Sequence, residues 1–217
     1  MSRAAGSTER TRIRRVSDRG AYDLETIRRV LDGQQVCHVA YVVGGEPRII
    51  PTLYIRLGDY VYLHGNRQAA LLNHLAAGGF ATLSALSLDG VVVARSGFHC
   101  SMNYHSVVVF GHGEDVPDDQ REEVLDAFVD ALVPGHKAAI RPSTPQELNA
   151  TGVVRLPLTE ASTKIRTGPP IDAESDLQAS AWAGVVPLVT TVGDIQPSPD
   201  LAAGVEMPDY IRDSVSY

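Results

Sequence analysis

One stretch of the chain concentrates side chains that could bind an anionic ligand. In residues 91–111, VVVARSGFHCSMNYHSVVVFG, an apolar run leads into a polar patch, and a second apolar run follows it. Two strands that flank a cluster of small donors are typical of a site that holds a hydrogen-bond-rich anion against a sheet. The alternative is a polar hairpin loop whose Ser and Asn side chains satisfy their own backbone. The patch contains Arg95, Ser96, His99, Ser101, Asn103, Tyr104, His105 and Ser106.

Arg95 is the cation of this patch that we expect closest to a bound anion. An arginine inside an apolar strand is costly unless its charge is paired, so a bound anion would explain it. The other explanation is an ion pair with an Asp or Glu of the same chain. Four neutral donors would lie at the same place: Ser96, Ser101, Asn103 and Ser106. For each of them alone, turn stabilisation is the more common role, and only the cluster favours a ligand site.

A second candidate anion site lies where a predicted strand gives way to a helix. His64, Gly65 and Asn66 end the strand YVYLH, and Arg67 follows them. The free N–H groups at the start of the next helix could bind an anion.

Lys164 and Arg166 form a third candidate. They lie two residues apart, so in a strand they project from one face. They could face a ligand, or they could be a basic edge that discourages strand pairing. Trp182, the only tryptophan, has Gly184 beside it; a lone tryptophan is most often a core anchor.

Several of these motifs together resemble a known family. ARSGFHCSMNYHSVVVFG is similar to a signature of flavin-nucleotide-binding split-barrel proteins related to pyridoxamine 5′-phosphate oxidase, a group that includes nitroimidazole-resistance proteins. The HG pair at residues 64–65, KIRTGPP at 164–170 and WAGVVP at 182–187 match in the same order. The resemblance implies a mainly β (α+β) fold: a six-stranded antiparallel split barrel of the FMN-binding type, with peripheral helices.

The resemblance also implies a cofactor and a partner. FMN would lie in the cleft of a homodimer, and haem or a deazaflavin are alternatives, since some split-barrel relatives bind haem through His or Cys. The implied cofactor-binding residues are His64, Gly65, Asn66, Arg67, Arg95, Ser96, Ser101, Asn103, Tyr104, His105, Lys164, Arg166 and Trp182.

This chain departs from the family pattern at two places. Ala69 and Ala70 stand where relatives commonly have a Ser-Arg pair in the first turn of the helix, and His105 stands where they have an arginine. Arg67 and Asn66 could substitute for the missing phosphate contacts. His105 carries a full charge only below its pKa, near ~6.5 in an ordinary environment.

The implied function is a flavin-dependent reductase or oxidase of a small organic substrate, in which the protein supplies orientation and electrostatics. The two departures favour an alternative, a flavin or haem binding protein without turnover. The sequence identifies no catalytic residue. GxSxG, GxGxxG and HExxH motifs are missing, so hydrolase, Rossmann-type and zinc-protease chemistry have no support.

The pattern of elements is rich in strands. Helices are predicted from Asp23 to Leu31, over residues 68–77, from Asp118 to residue 132, and from the capping box at Thr144. Strands are predicted over residues 36–42, 48–57, 60–64, 80–88 and 153–159, with a hairpin turn at residues 89–90 and an edge or bulge at Pro51. The domain prediction is a flexible lead (1–20), a flavin-binding barrel (21–190) and a C-terminal arm or tail (191–217).

Composition restricts the partners. The 217 residues carry 19 Lys and Arg against 26 Asp and Glu, a net charge of −7, which argues against sequence-independent nucleic-acid binding. Cys37 and Cys100 cannot form a disulfide framework, and the histidines have no metal-ligand spacing. With neither a signal peptide nor a membrane span in the sequence, we expect a cytoplasmic protein that acts on a small molecule.

Overall fold

The computed structural model describes residues 7–214, which form two antiparallel sheets with helices packed around them. The helices are α1 (Leu24–Asp32), α2 (Ala70–Ala76), α3 (Asp118–Leu132), α4 (Pro145–Ala150) and α5 (Asp209–Ser214). The strands are β1 (Gly20–Ala21), β2 (Val36–Val43), β3 (Glu46–Leu53), β4 (Ile55–Leu57), β5 (Tyr60–Asn66), β6 (Phe80–Val93), β7 (Ser101–His112), β8 (Glu114–Asp115), β9 (Thr151–Pro157), β10 (Glu160–Arg166) and β11 (Gly184–Pro187).

The larger sheet has seven strands in the order β1-β10-β7-β6-β2-β3, with β11 paired to β6; the smaller sheet has the order β4-β5-β9-β8. The main core lies among β2, β5, β6, β7, β9, α1 and α2. The predicted antiparallel split barrel is confirmed as a fold class, although neither sheet closes on itself. The structure has eleven strands in its described residues. Three of them, β1, β8 and β11, are only two to four residues long and have no alternation from which they could be predicted.

The predicted hairpin at residues 89–90 is wrong. β6 continues through Asp89 and Gly90 to Val93 and pairs with β7 along its whole length, with a register shift between Leu88 and Gly90. Gly90 is needed there because a Cβ would lie 2.9 Å from Cγ1 of Val185 on β11. The Asp-Gly pair therefore marks a bulge covered by another strand.

Helix starts follow their sequence signals closely. Asp23 accepts a hydrogen bond from the Thr26 N–H at 2.8 Å, and Ile27 and Leu31 face the core, as predicted. Thr144 makes the predicted capping box with Glu147 at the start of α4. Pro51 lies on β3, which is an edge strand, and so removes no hydrogen bond from the sheet interior.

The two ends of the described chain lie over different parts of the sheets. Residues 17–19 form a single helical turn before β1, and Thr11 is buried. Residues 188–208 are exposed and have no regular structure, and α5 then returns to the end of α3, where the Tyr210 hydroxyl lies 2.9 Å from His136 Nδ1. The predicted lead and tail also include residues 1–6 and 215–217, which lie outside the described residues. Within the described part of the chain, no helix is long and apolar enough to cross a membrane.

Candidate functional site

The predicted site residues fall into two separate groups. The first, which we call the β7 site, lies at the end of the large sheet where β6, β7 and β10 meet. Strand register places Lys164 opposite Ser106 and Arg166 opposite Tyr104, with Arg95 in the loop after β6. The second group, His64 with Gly65, Asn66 and Arg67, lies at the end of β5 in the small sheet.

Arg95 has an intramolecular partner. Its backbone N–H donates to Oδ1 of Asp172 at 2.8 Å, and its Nη1 donates to Oδ2 at 2.7 Å. Burial raises the pKa of Asp172, but the hydrogen bonds and charge of Arg95 outweigh it and hold that pKa below its ordinary value. The ion pair given above as the alternative is therefore present, while Nε of Arg95 is buried without a partner.

Arg166 is the most deeply buried cation of the β7 site, with 4% of its surface exposed. Its guanidinium donates to Oδ1 of Asn103 and to the carbonyls of Gly168 (3.2 Å) and Pro169 (3.1 Å), and Nε has no partner. No carboxylate among the described residues lies within ion-pair distance of it. A buried guanidinium served only by neutral acceptors is suited to a bound anion.

His105 faces the opposite side of the sheet from Lys164. Its Nδ1 lies 2.7 Å from Oδ2 of Asp89, whose Oδ1 accepts from the Ser87 hydroxyl at 3.2 Å. A cavity of about 210 Å³ opens beside His105, between β6, β7 and α1, and Arg29 lines it. His105 is thus oriented by a carboxylate, which sequence reasoning did not foresee.

The remaining members of the first group are polar but mostly engaged or exposed. The Ser106 hydroxyl donates to the Lys164 carbonyl at 2.9 Å, and Asn103 Nδ2 donates to the Gly168 carbonyl at 3.1 Å. Ser101 is exposed at the start of β7, and Ser96 lies in the loop before it. His99 lies in that loop as well, so it does not share a strand with His105.

Trp182 is not a core anchor. It is 65% exposed, and its indole lies over the backbone of Gly184, where a Cβ would come within 2.9 Å of the ring. The ring therefore covers the start of β11, which pairs with the end of β6 near Arg95. Its expected place beside a cofactor stays a prediction.

The start of α2 uses its polar groups within the chain. Asn66 accepts a hydrogen bond from the Gln68 N–H at 2.8 Å, and Arg67 pairs with Asp118 at 3.3 Å. Ala69, at the cap position, provides no side-chain bond, and α2 has seven residues. Nothing at this helix start therefore replaces the family's Ser-Arg contacts, and Arg67 is engaged elsewhere.

His64 lies in a cavity of about 290 Å³ between β5, α3, the start of β9 and the loop that follows α3. We call it the His64 cavity. The imidazole ring of His64 packs edge-on against the ring of Phe128, with ring centroids 4.3 Å apart. The other lining residues are mainly apolar on α3, with charged and hydroxyl groups towards the opening: Leu125, Asp126, Val129, Leu132, Lys137, Ile140, Arg141, Ser143 and Thr151.

The His64 imidazole has a buried nitrogen without a hydrogen-bond partner in the described chain. Nδ1 is buried with no hydrogen-bond partner among the described residues, although buried polar atoms are nearly always paired. Burial lowers the pKa of His64, so the ring is neutral at neutral pH and retains a lone pair. At the opening, Lys137 pairs with Asp126, and Arg141 pairs with Glu147, whose pKa it lowers to about 2.

Three groups near these sites escaped the sequence interpretation. Asp172 and Asp89 complete the surroundings of Arg95 and His105, but they lie 77 and 16 residues away in the chain. Phe128 lies on α3, and the sequence has no sign that its ring would meet His64. No local pattern predicts these contacts, because they depend on how distant elements pack together. The described residues contain no cluster of three or more His, Cys, Asp or Glu side chains arranged to hold a metal ion.

A family model described as pyridoxamine 5′-phosphate oxidase matches residues 23–165. This chain belongs to the pyridoxamine 5′-phosphate oxidase family. The match covers the whole run from α1 to β10, including both groups of candidate residues except Arg166 and Trp182. A search of curated proteins found no match.

Two solved structures are similar over nearly their whole length. The flavocytochrome Anf3 from Azotobacter vinelandii is 36% identical, with 95% of this chain and 97% of that chain covered and a TM-score of 0.91. The FAD and haem binding protein from Mycobacterium smegmatis is 39% identical, with 91% and 97% covered and a TM-score of 0.87. A candidate 5-nitroimidazole antibiotic resistance protein from Bacteroides thetaiotaomicron, 16% identical with 67% and 86% covered, shares the fold at a TM-score of 0.56.

Proposed function

We propose that this protein binds both a flavin nucleotide and a haem and acts as a flavin-dependent oxidoreductase. The family membership supports the flavin, which the sequence resemblance implied as FMN. The names of the two similar proteins, a flavocytochrome and an FAD and haem binding protein, support the pair of cofactors. The observation that carries the proposal is the unpartnered imidazole of His64 in its cavity.

The His64 cavity suits a haem in its chemistry. A neutral imidazole is a common haem-iron ligand, and the apolar side chains of α3 would contact a flat, largely apolar macrocycle. Lys137 and Arg141 lie at the opening, where the carboxylate groups of a haem could be met by positive charge. Both cations already have exposed or half-buried acidic partners that they could exchange.

The β7 site suits the flavin. It offers Arg95 and Arg166, each with a buried Nε that lacks a partner, and the neutral donors of Asn103 and Tyr104 beside them. Arg95 and the neutral donors, if they lie near the flavin ring, would stabilise its reduced anionic form. Bound together, a flavin would supply two-electron chemistry and a haem one-electron chemistry.

The residues of the chain would set the conditions for that chemistry. His64 would hold the iron on one side, and the side chains of Phe128 and Leu125 would exclude water from the macrocycle. The carboxylate of Asp89 fixes the orientation of His105, leaving Nε2 as the nitrogen available for a proton. The alternative function, a carrier without turnover, uses the same binding groups and differs only in whether a substrate is converted.

We also propose that the protein is a homodimer with the cofactor at the interface. Register places five exposed apolar side chains on the outer face of the large sheet, where a water-exposed sheet would carry polar ones: Val36, Val42, Ile49, Leu86 and Leu88. Ile49 is 64% exposed and Leu86 55%. Tyr104 projects from this same face because it is paired with Leu88. Lys164 does so as well, because its partner Ser106 is in turn paired with Leu86. A second copy that covers the apolar face would therefore also border the β7 site.

The haem assignment is tested by comparing His64→Ala with His38→Ala in protein produced with an adequate haem supply. His38 is exposed on β2 and is the matched control. His64→Ala should lose the Soret band or convert it to that of a loosely held haem, and His38→Ala should keep the wild-type spectrum. An unchanged Soret band in His64→Ala would show that another residue holds the iron.

A further inference from the structure

The positive charges of this acidic protein are distributed unevenly. Among residues 7–214, all but five of the Arg and Lys side chains lie within ion-pair distance of a carboxylate. The five exceptions are Arg15, Arg19, Arg29, Lys164 and Arg166. In a chain with a net charge of −7, cations left without acids in one region need an explanation.

Three of these five lie at the end of β10. β1 pairs with β10 with Gly20 opposite Lys164, so Arg19 comes just before this pair, close enough for its charge to act on Arg166. Lys164 Nζ donates to the backbone carbonyl of Arg15 at 2.9 Å, while the Arg15 side chain is exposed. We call Arg19, Lys164 and Arg166 the β10 cation cluster.

The segment that carries Arg15 and Arg19 is held in an unusual shape. Val16 has φ 53° and ψ 57°, a left-handed conformation that a β-branched residue rarely adopts. The Arg19 N–H then donates to the Val16 carbonyl at 3.2 Å, closing the turn against β10. Asp18 lies within the turn but makes no ion pair in the described chain.

The cluster is costly as it stands. Arg166 is almost fully buried with an unpartnered Nε, and burial lowers its pKa, an effect to which the nearby positive charge of Arg19 adds. The positive charges of two neighbouring guanidinium groups repel each other. Since no acid of the described chain lies between them, a bound anion would stabilise the pair. A phosphate group presents acceptors that match the paired donors of arginine.

The start of α2 is less suited to a phosphate. Its cap residue is Ala69, Asn66 is bonded to Gln68, and Arg67 already pairs with Asp118. The residues that the family places there for a phosphate are missing, whereas three cations without an acidic partner among the described residues lie at the end of β10.

We propose that the β10 cation cluster, and not the start of α2, binds the phosphate or diphosphate of the flavin nucleotide, with Arg19 as a direct contact. This inference rests on the proposed flavin binding. It adds Arg19, which precedes the residues of the family match, to the binding site.

Equilibrium titrations with riboflavin, FMN and FAD test the proposal, because the three ligands share a ring system and differ in phosphate content. The titrations use full-length protein from which any retained flavin has been removed. Arg19→Ala should weaken the binding of FMN and FAD at least ~10-fold, as expected for the loss of a charge-assisted contact. The same variant should weaken the binding of riboflavin less than ~2-fold. A larger loss for FAD than for FMN would assign the cluster to a diphosphate. Arg12→Ala, which removes the same charge from the same segment, is the control and should leave all three affinities unchanged.

Two further variants separate a lost contact from a disturbed fold. Arg19→Lys keeps the charge and should retain most of the FMN affinity, and Arg67→Ala at the start of α2 should leave it unchanged. Equal losses for all three ligands, or no loss at all, would overturn the proposal, as would a changed oligomeric state at unchanged flavin affinity. If the wild type binds none of the three ligands, the proposed function itself fails; if it binds riboflavin as tightly as FMN, only this inference fails.

Discussion

Arg95 and Asp172 are joined by two hydrogen bonds, 2.8 Å from the backbone N–H of Arg95 and 2.7 Å from its guanidinium. They link the end of β6 to the loop that follows β10. The pair fixes Arg95 so that its remaining donors face the β7 site, and it leaves Nε without a partner.

Replacing Asp172 with Asn should release Arg95 and weaken flavin retention, because the guanidinium would no longer be held in place. Flavin content after gel filtration measures the effect. If Asp172 acts only through Arg95, the double variant should lose no more flavin than Arg95→Ala alone. Additive losses would show that the two residues act separately.

Acid should weaken the folded state through His64 in haem-free protein. Because burial lowers the pKa of His64 in the folded state, the unfolded chain binds a proton first as the pH falls. The contribution of His64 to the free energy of unfolding is therefore present above its unfolded pKa, near ~6.5, and is lost as the pH falls towards the folded pKa. The other ionisable groups that line the cavity are Asp126, Lys137 and Arg141.

Urea unfolding of haem-free protein at about pH 7 and about pH 5.5 measures this effect, a range set by the ordinary histidine pKa. His64→Gln should reduce the loss of stability between the two conditions, and His38→Gln should not. An identical pH dependence in wild type and His64→Gln would contradict the assigned burial.

The two cysteines should differ sharply in reactivity. Burial raises the pKa of Cys37 to about 12, so its thiolate is scarce and inaccessible, whereas Cys100 is exposed. A disulfide reagent should label Cys100 quickly in the native protein and Cys37 only after unfolding. Cys100→Ser should abolish the fast phase; a fast phase that survives it would mean that β2 opens readily.

The outer face of the large sheet should control the oligomeric state. Ile49→Asp places a charge on the apolar face and should weaken dimerisation at least ~10-fold, because burying an unpaired charge in an interface is costly. Light scattering at several concentrations measures it. Leu177→Asp, at a similarly exposed apolar residue outside the sheets, should leave the mass unchanged. A monomeric wild-type protein would contradict the proposed homodimer.

The sequence predicted local features well and long-range contacts poorly. The Asp23 cap, the Thr144 capping box and the edge position of Pro51 depend on neighbouring residues or on the missing N–H of proline, so they could be read directly. Asp89-Gly90 suggested a turn because the pair is common in hairpins, and only the packing of β11 against Gly90 shows why the strand continues.

The candidate site shows the same division. That Arg95 needed a negative partner followed from the cost of burying its charge, but the identity of Asp172 depends on how the loop after β10 folds back. The convergence of Arg19 with Arg166 depends on the pairing of a two-residue strand, β1, which has no sequence signal.

The most direct test of the account is the absorbance spectrum of the purified wild-type protein, followed by mass analysis of what denaturation releases. The account predicts a flavin band together with a Soret band, and a released flavin nucleotide and haem in comparable amounts. Flavin alone would reduce the protein to a flavin-dependent enzyme or carrier with an unexplained His64 cavity, and a deazaflavin would replace the proposed flavin. A colourless protein that takes up neither added flavin nor haem would contradict the proposed function.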